Sequence, residues 1–190
     1  MLLISEFIAP IAAKQTIFPV KRRPPSAVHL KRSQEIVKKD VREVNATDWT
    51  FAKEIVLLDA KLTQEPVVDV EVQAIQIGPA ILLTNPAEFF CQLGLNIKAA
   101  SEFPFTFPVS LSNHCVGYVP TEEAFGPRGG GYETRLSSYS NLEITAGTQM
   151  VEAAVKLAGE MTPGEVPKRP LAPEFKGGSW GYESVPPEVD

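Results

Sequence analysis

Three loops of this 190-residue sequence carry side chains that suit metal or acid–base chemistry. Glu88 follows a short apolar run, Tyr118 follows a glycine, and Tyr132 follows a run of glycines. A carboxylate and an ionised phenol are oxygen ligands that suit zinc, and a free tyrosine hydroxyl can donate a hydrogen bond to an oxyanion. Each residue also has an ordinary structural interpretation: Glu88 in a helix capping box, and each tyrosine as a half-buried packing residue.

The histidines and cysteines form no metal motif of their own. His29 and His114 are too far apart in the sequence for a recognised zinc spacing. Cys91 and Cys115 do not form a Cys-x-x-Cys pair, which excludes a zinc ribbon. The glycine run at 129–131 lacks the lysine of a P-loop and is typical of a flexible turn.

Charge is spread unevenly along the chain. The formal net charge is -5, but residues 1–42 contain nine lysines and arginines against three acidic residues. A basic arm of this kind can contact nucleic acid or anionic lipid, although its ordinary interpretation is a solvated tail. Because the rest of the chain is acidic, we do not expect a nucleic-acid-binding core.

The sequence contains no apolar run of the roughly 20 residues that a membrane span needs. The first residues do not have the order of a signal peptide, because Glu6 interrupts the apolar run and the basic cluster comes after it. We therefore predict no transmembrane segment and no signal peptide, and the compartment stays open.

The N-terminal third is predicted to hold an arm and two helices. Residues 1–32 are expected to form an irregular basic arm, because Pro19, Pro24 and Pro25 interrupt any helix there. Ser33 is predicted to cap a first helix, and Thr47 or Asp48 to start a second.

The character of the chain changes at Val67, where apolar and polar residues begin to alternate. This alternation predicts a half-buried strand, and the apolar run at 80–84 predicts a second strand joined to it as a hairpin. Asn85-Pro86-Ala87-Glu88 suits the N-terminus of a helix, with Asn as the cap, Pro first and Glu third.

The later chain adds a β-prone run at 105–111, an irregular loop at 112–135 and an amphipathic helix at 148–161. A Pro/Gly-rich tail at 163–190 is expected to follow a domain at 33–162. Alternating strands and helices predict an α/β domain, a layered sheet with flanking helices, with a mixed α+β arrangement as the open alternative.

A series of short segments lies between residues 67 and 160: Ile77-Gly78-Pro79-Ala80, Asn85-Pro86-Ala87-Glu88-Phe89, Leu93-Gly94-Leu95-Asn96-Ile97-Lys98, Asn113, Gly117-Tyr118-Val119-Pro120-Thr121 and Gly130-Gly131-Tyr132-Glu133. Taken together and in this order, they resemble the later part of the catalytic domain of the neutral/alkaline non-lysosomal ceramidase family. The ordered set is more specific than any single motif in it. Ala87 departs from the family pattern, which usually has glycine there.

The resemblance implies a zinc-dependent hydrolase that cleaves the amide of N-acyl sphingoid lipids. It implies that Glu88 and Tyr118 are zinc ligands and that Tyr132 binds the substrate carbonyl as negative charge develops there. Asn113 and Gly131 are expected to contact the substrate. Zinc in such a site lowers the pKa of a bound water to about 7.

The two histidine ligands of the family belong to segments that this sequence does not match. Because a catalytic zinc needs about three protein ligands, we expect little or no amidase activity from this chain alone. It would then be a truncated or degenerate homologue, or one piece of an enzyme whose N-terminal catalytic segment is encoded separately. Two other functions stay open: a non-catalytic interaction module that retains the fold, and an anionic-surface binder that uses the basic arm.

Overall fold

An alternating segment at residues 67–77 sets the central strand of the fold. Its apolar side chains alternate with Asp69, Glu71 and Gln73, which gives a strand with one buried face. The computed structural model describes residues 9–168, and in it this strand lies inside a four-stranded mixed sheet with flanking helices. The predicted α/β class is confirmed.

From residue 67 onward, two groups of strands in the described residues are each followed by a helix. The strands are β1 (Ile11–Lys21), β2 (Val67–Ile77), β3 (Ala80–Thr84), β4 (Glu88–Phe89), β5 (Phe105–Val109) and β6 (Tyr118–Val119). The helices are α1 (Ala27–Ile36), α2 (Ala46–Leu62), α3 (Cys91–Ala100) and α4 (Ala146–Gly159). Short 3₁₀ turns cover Val41–Glu43, Glu122–Phe125 and Tyr132–Thr134.

The main sheet has the strand order β1-β2-β3-β5. The first three strands are antiparallel neighbours, and the predicted hairpin of β2 and β3 is confirmed. It turns at Gly78, whose φ of 57° suits glycine. β3 and β5 are parallel, so their carboxyl ends meet at one edge of the sheet. β4 and β6 form a separate parallel pair just beyond that edge.

The core lies on one face of the main sheet, which we call the inner face. Helices α3 and α4 cover it, and α4 buries Met150, Ala154 and Leu157 as its amphipathic pattern predicts. From the sheet, this core takes Val70, Val72, Ala74, Ile81 and Leu83. Among residues 9–168, no helix is long and apolar enough to cross a membrane.

Helices α1 and α2 pack against each other and begin earlier than predicted. The prediction that Ser33 caps a helix is wrong, because Ser33 is buried within α1 and Ser26 is the cap. Asn45, rather than Thr47 or Asp48, caps α2. The sequence offers several capping residues in each region, and tertiary packing decides between them.

The predicted irregular arm is wrong for most of its length, because residues 11–21 form β1 and residues 27–32 belong to α1. This edge strand pairs with β2 along its full length, and Val20 is fully buried in the core. The sequence did not predict this strand because Pro19 interrupts it and proline disfavours strand pairing. Proline is nevertheless tolerated on an edge strand. Residues 1–8, and residues 169–190 of the predicted tail, lie outside the described residues.

The predicted helix start at Asn85-Pro86-Ala87-Glu88 is also wrong. Glu88 begins β4, and α3 starts only at Cys91. The backbone N–H of Glu88 donates to the carbonyl of Gly117 at 3.0 Å, so pairing with β6 replaces the first turn of a helix. Glu88 is therefore held by a strand and not by a helix N-terminus.

Candidate functional site

The structure brings together the three side chains that the sequence singled out. Glu88 and Tyr118 are direct register partners in the β4–β6 pair. Paired residues of neighbouring strands project to the same face, so the carboxylate and the phenol stand side by side. The ring of Tyr132 meets that of Tyr118 edge to face, with 5.3 Å between the ring centres.

A turn at Asn85 positions β4 at the end of β3. The side-chain oxygen of Asn85 accepts a hydrogen bond from the N–H of Ala87 at 3.1 Å, and both residues are buried. The backbone N–H of Asn85 also bonds the carbonyl of Val109 at the end of β5, at 2.9 Å. The turn before Glu88 is therefore held by one hydrogen bond within itself and by another to the end of β5.

Tyr139 is a further member of the cluster that sequence reasoning missed. Its hydroxyl donates to Oε1 of Glu88 at 2.7 Å and lies 3.1 Å from Sγ of Cys115. Its ring centre lies 6.1 Å from that of Tyr118. The only signal in the sequence is a tyrosine within a run of small polar residues at 137–141, which resembles an ordinary loop.

The cluster keeps two tyrosine hydroxyls protonated. The hydrogen bond with Tyr132 raises the pKa of Tyr118 well above its usual range, with burial and Glu88 adding to the rise. Contacts with Cys115 and then Glu88 raise the pKa of Tyr139 in the same direction. Without a metal ion, both phenols therefore act as hydrogen-bond donors next to the carboxylate.

The two residues predicted to contact substrate occupy special backbone conformations. Asn113 has a φ of 62°, and its side-chain amide donates to Oε1 of Glu71 on β2 at 3.0 Å. Gly131 has a φ of 105° directly before the 3₁₀ turn that carries Tyr132, a conformation that favours glycine. Their roles toward a substrate stay predictions.

Tyr118 lines two clefts. One, of about 400 Å³, is also lined by Glu54 and by Arg135, whose guanidinium stacks over the Phe51 ring. The other, of about 420 Å³, contains Glu88 and Glu133 together with apolar side chains. The apolar side chains of the second cleft are Phe89, Phe90 and Leu111.

The described residues fit a zinc ion in part. Glu88 and Tyr118 offer two adjacent oxygen donors, and Tyr139 orients the carboxylate through its hydrogen bond. A catalytic zinc takes about three protein ligands, however. Within residues 9–168 there is no group of three or more His, Cys, Asp or Glu side chains that could hold a metal ion. Nδ1 of His114 accepts a hydrogen bond from the N–H of Cys115, the next residue in the chain, at 2.6 Å.

Comparison with solved structures finds ceramidases. A ceramidase described as complexed with C2 has 23% identity and a TM-score of 0.39, over 58% of this chain and 17% of its own. Neutral ceramidase from Pseudomonas aeruginosa has 17% identity and a TM-score of 0.43, over 85% of this chain and 31% of its own. The chain thus spans less than a third of either protein, and values this low do not assign an activity. No protein-family model and no curated protein matches the chain.

Proposed function

We propose that this chain is part of a ceramidase-like amide hydrolase and supplies the oxygen ligands of its zinc site. One observation carries the proposal: Glu88 and Tyr118 are register partners, and the Tyr132 ring packs against Tyr118. The sequence separates these residues by up to 44 positions. Their convergence supports the ligand pair and carbonyl-binding tyrosine that the family resemblance implies.

Each residue has a distinct part in this proposal. Glu88 and Tyr118 are the two oxygen ligands, and Tyr139 holds one oxygen of Glu88 through its hydrogen bond. Tyr132 donates a hydrogen bond to the carbonyl oxygen of the amide as negative charge develops there. Its exposed position leaves its hydroxyl accessible to a bound molecule.

The substrate class is a lipid amide. An amide has an acyl side and an amine side, and the two clefts that share Tyr118 can take one each. Phe89, Phe90 and Leu111 give the second cleft the apolar surface that an acyl chain requires. Glu54, Arg135 and Ser138 give the first cleft polar groups that suit a hydroxylated amine.

We expect little or no turnover from the chain alone, because two oxygen ligands are fewer than a catalytic zinc needs. The test is hydrolysis of a fluorescent N-acyl sphingoid lipid in the presence of added zinc. Turnover that Glu88→Ala abolishes and Glu102→Ala leaves intact would show that the chain is active alone and uses this site. Turnover indifferent to Glu88→Ala would mean that the site is misassigned.

Two arginines of the basic arm are engaged within the fold, which weakens the alternative that this arm binds anionic surfaces. The side chain of Arg22 is nearly buried and donates to Oδ1 of Asn141 at 2.7 Å. Arg23 donates to the carbonyl of Leu142 and stacks over the ring of Phe125. These two cations hold the fold together and are not available to a charged surface. A non-catalytic module that retains the fold stays the alternative to the hydrolase.

A further inference from the structure

A small pocket is lined by α1, by α2 and by Arg135, the residue that directly follows the 3₁₀ turn at 132–134. From α1 it receives His29, Arg32 and Ser33, whose spacing of three and four residues puts them on one side of the helix. From α2 it receives Phe51. Side chains from three separate parts of the chain therefore converge on one cavity.

Positive charge prevails in this pocket, although the chain as a whole has a net charge of -5. Arg32 and Arg135 both line it, and Asp48 brings one opposing carboxylate. The ion pairs found within residues 9–168 include neither of these two arginines. A concave site lined by unpaired cations concentrates anions, because its low-dielectric walls focus the field of the charges.

Phe51 holds Arg135 in a position that favours anion binding. The guanidinium carbon lies 3.4 Å from the centre of the Phe51 ring. Stacking on a ring engages the flat face of a guanidinium and leaves the N–H donors at its edge for another partner. Those edge donors match the paired oxygens of a carboxylate or a phosphate.

The remaining lining and the size of the pocket suit a compact ligand. His29 offers a ring N–H, and Ser33, which is only 1% exposed, is a hydroxyl-bearing residue that can donate to an oxyanion. The pocket has a volume of about 110 Å³. Pockets for drug-sized ligands begin at roughly 300 Å³, so this one has room for a small group only.

We propose that this pocket binds a compact oxyanion, a carboxylate or a phosphate, between Arg32 and Arg135. Phe51 and Arg135 also line the cleft of about 400 Å³ that contains Tyr118, so the oxyanion site adjoins the candidate functional site. The two sites have different residues for their ligands. The oxyanion site therefore stands or falls independently of the proposed hydrolase function.

Titration calorimetry on the full chain tests this inference, with sodium phosphate and sodium acetate as separate ligands and the ionic strength kept constant with sodium chloride. At least one of the two ions should bind saturably at millimolar concentration or below. Tighter binding of phosphate would identify a phosphate group as the natural ligand, and tighter binding of acetate a carboxylate. Arg32→Gln and Arg135→Gln should each weaken binding about tenfold, because each removes a charge-assisted hydrogen bond.

Lys31→Gln is the matched control. Lys31 precedes Arg32 on α1 and is exposed, but it does not line the pocket. Its variant loses the same charge and should bind like the wild type. Circular dichroism checks the fold, and Arg32→Gln is the safer variant because glutamine suits an exposed helix position. The proposal is overturned if neither ion binds, if folded Arg32→Gln binds normally, or if Lys31→Gln weakens binding as much as Arg32→Gln.

Discussion

Gly117→Ala should destabilise the fold by about 3 kcal/mol or more, a loss at the upper end of single substitutions. Gly117 has a φ of 83°, a conformation that costs a side-chain-bearing residue about 1–2 kcal/mol. An added Cβ would also collide with the backbone carbonyl of Tyr139, lying 2.8 Å from its carbon and 3.3 Å from Cα of Ser140. A backbone carbonyl cannot avoid the added Cβ by changing rotamer, as a side chain could. The loops that carry Gly117 and Tyr139 would therefore have to separate.

Gly130→Ala is the control for this substitution. Gly130 also has a positive φ, of 120°, but an added Cβ would meet no atom within 4 Å. Its variant should therefore lose only about 1–2 kcal/mol, the cost of the backbone conformation alone. Urea unfolding of the two variants measures the difference. Equal losses would mean that the close approach between Gly117 and Tyr139 does not exist.

Asn141→Ala is expected to cost about 3 kcal/mol of unfolding free energy. Asn141 is fully buried, and its amide donates to the carbonyls of Ser137 and Ser138 at 3.0 and 2.8 Å. Its oxygen accepts from Nη1 of Arg22, whose pKa is lowered by burial. The substitution therefore leaves two carbonyls and one guanidinium N–H of Arg22 without this partner, although Arg22 keeps its bond to the carbonyl of Glu65 at 3.0 Å. Leaving buried polar groups unpaired costs more than the lost bonds themselves.

Asn96→Ala is the matched control, because Asn96 is exposed and bonds only Gln92 of its own helix. Its effect should stay within about 0.5 kcal/mol. Thermal unfolding followed by circular dichroism measures both variants. A loss below about 1 kcal/mol for Asn141→Ala would show that the loop at 137–141 is not held by this side chain. The same loop carries Tyr139, so the variant should also weaken the hydrogen bond to Glu88.

The sequence predicted the elements whose side chains alternate between core and solvent. β2 and α4 follow from their periodicity, because each packs one face into the core. β1 could not be found in this way, since an edge strand with little burial has little periodicity. Asn85-Pro86-Ala87-Glu88 matches a helix start locally, but Glu88 pairs with residues 117–118, far along the chain. At these residues, hydrogen bonding to a distant part of the chain overrides the local preference for a helix start.

The candidate site was predictable only for the residues that stand in recognisable short motifs. Glu88, Tyr118 and Tyr132 each stand in a short motif, and the ordered motifs suggested that they act together. Tyr139 lies in a loop without a motif, and its contact with Glu88 depends on Gly117 allowing the two loops to approach. No local pattern encodes that approach, so only the three-dimensional structure reveals it.

The central claim is that Glu88 and Tyr118 form one ligand pair, and a zinc titration followed by tyrosinate absorbance tests it most directly. Zinc should bind with weaker than micromolar affinity, because two ligands are too few. It should nevertheless ionise Tyr118, since a dication reverses the raised pKa of that phenol. We predict a tyrosinate signal that Tyr118→Phe and Glu88→Gln abolish and that Tyr132→Phe and Glu102→Gln retain. No tyrosinate at saturating zinc, or a signal that survives Tyr118→Phe, would contradict the claim.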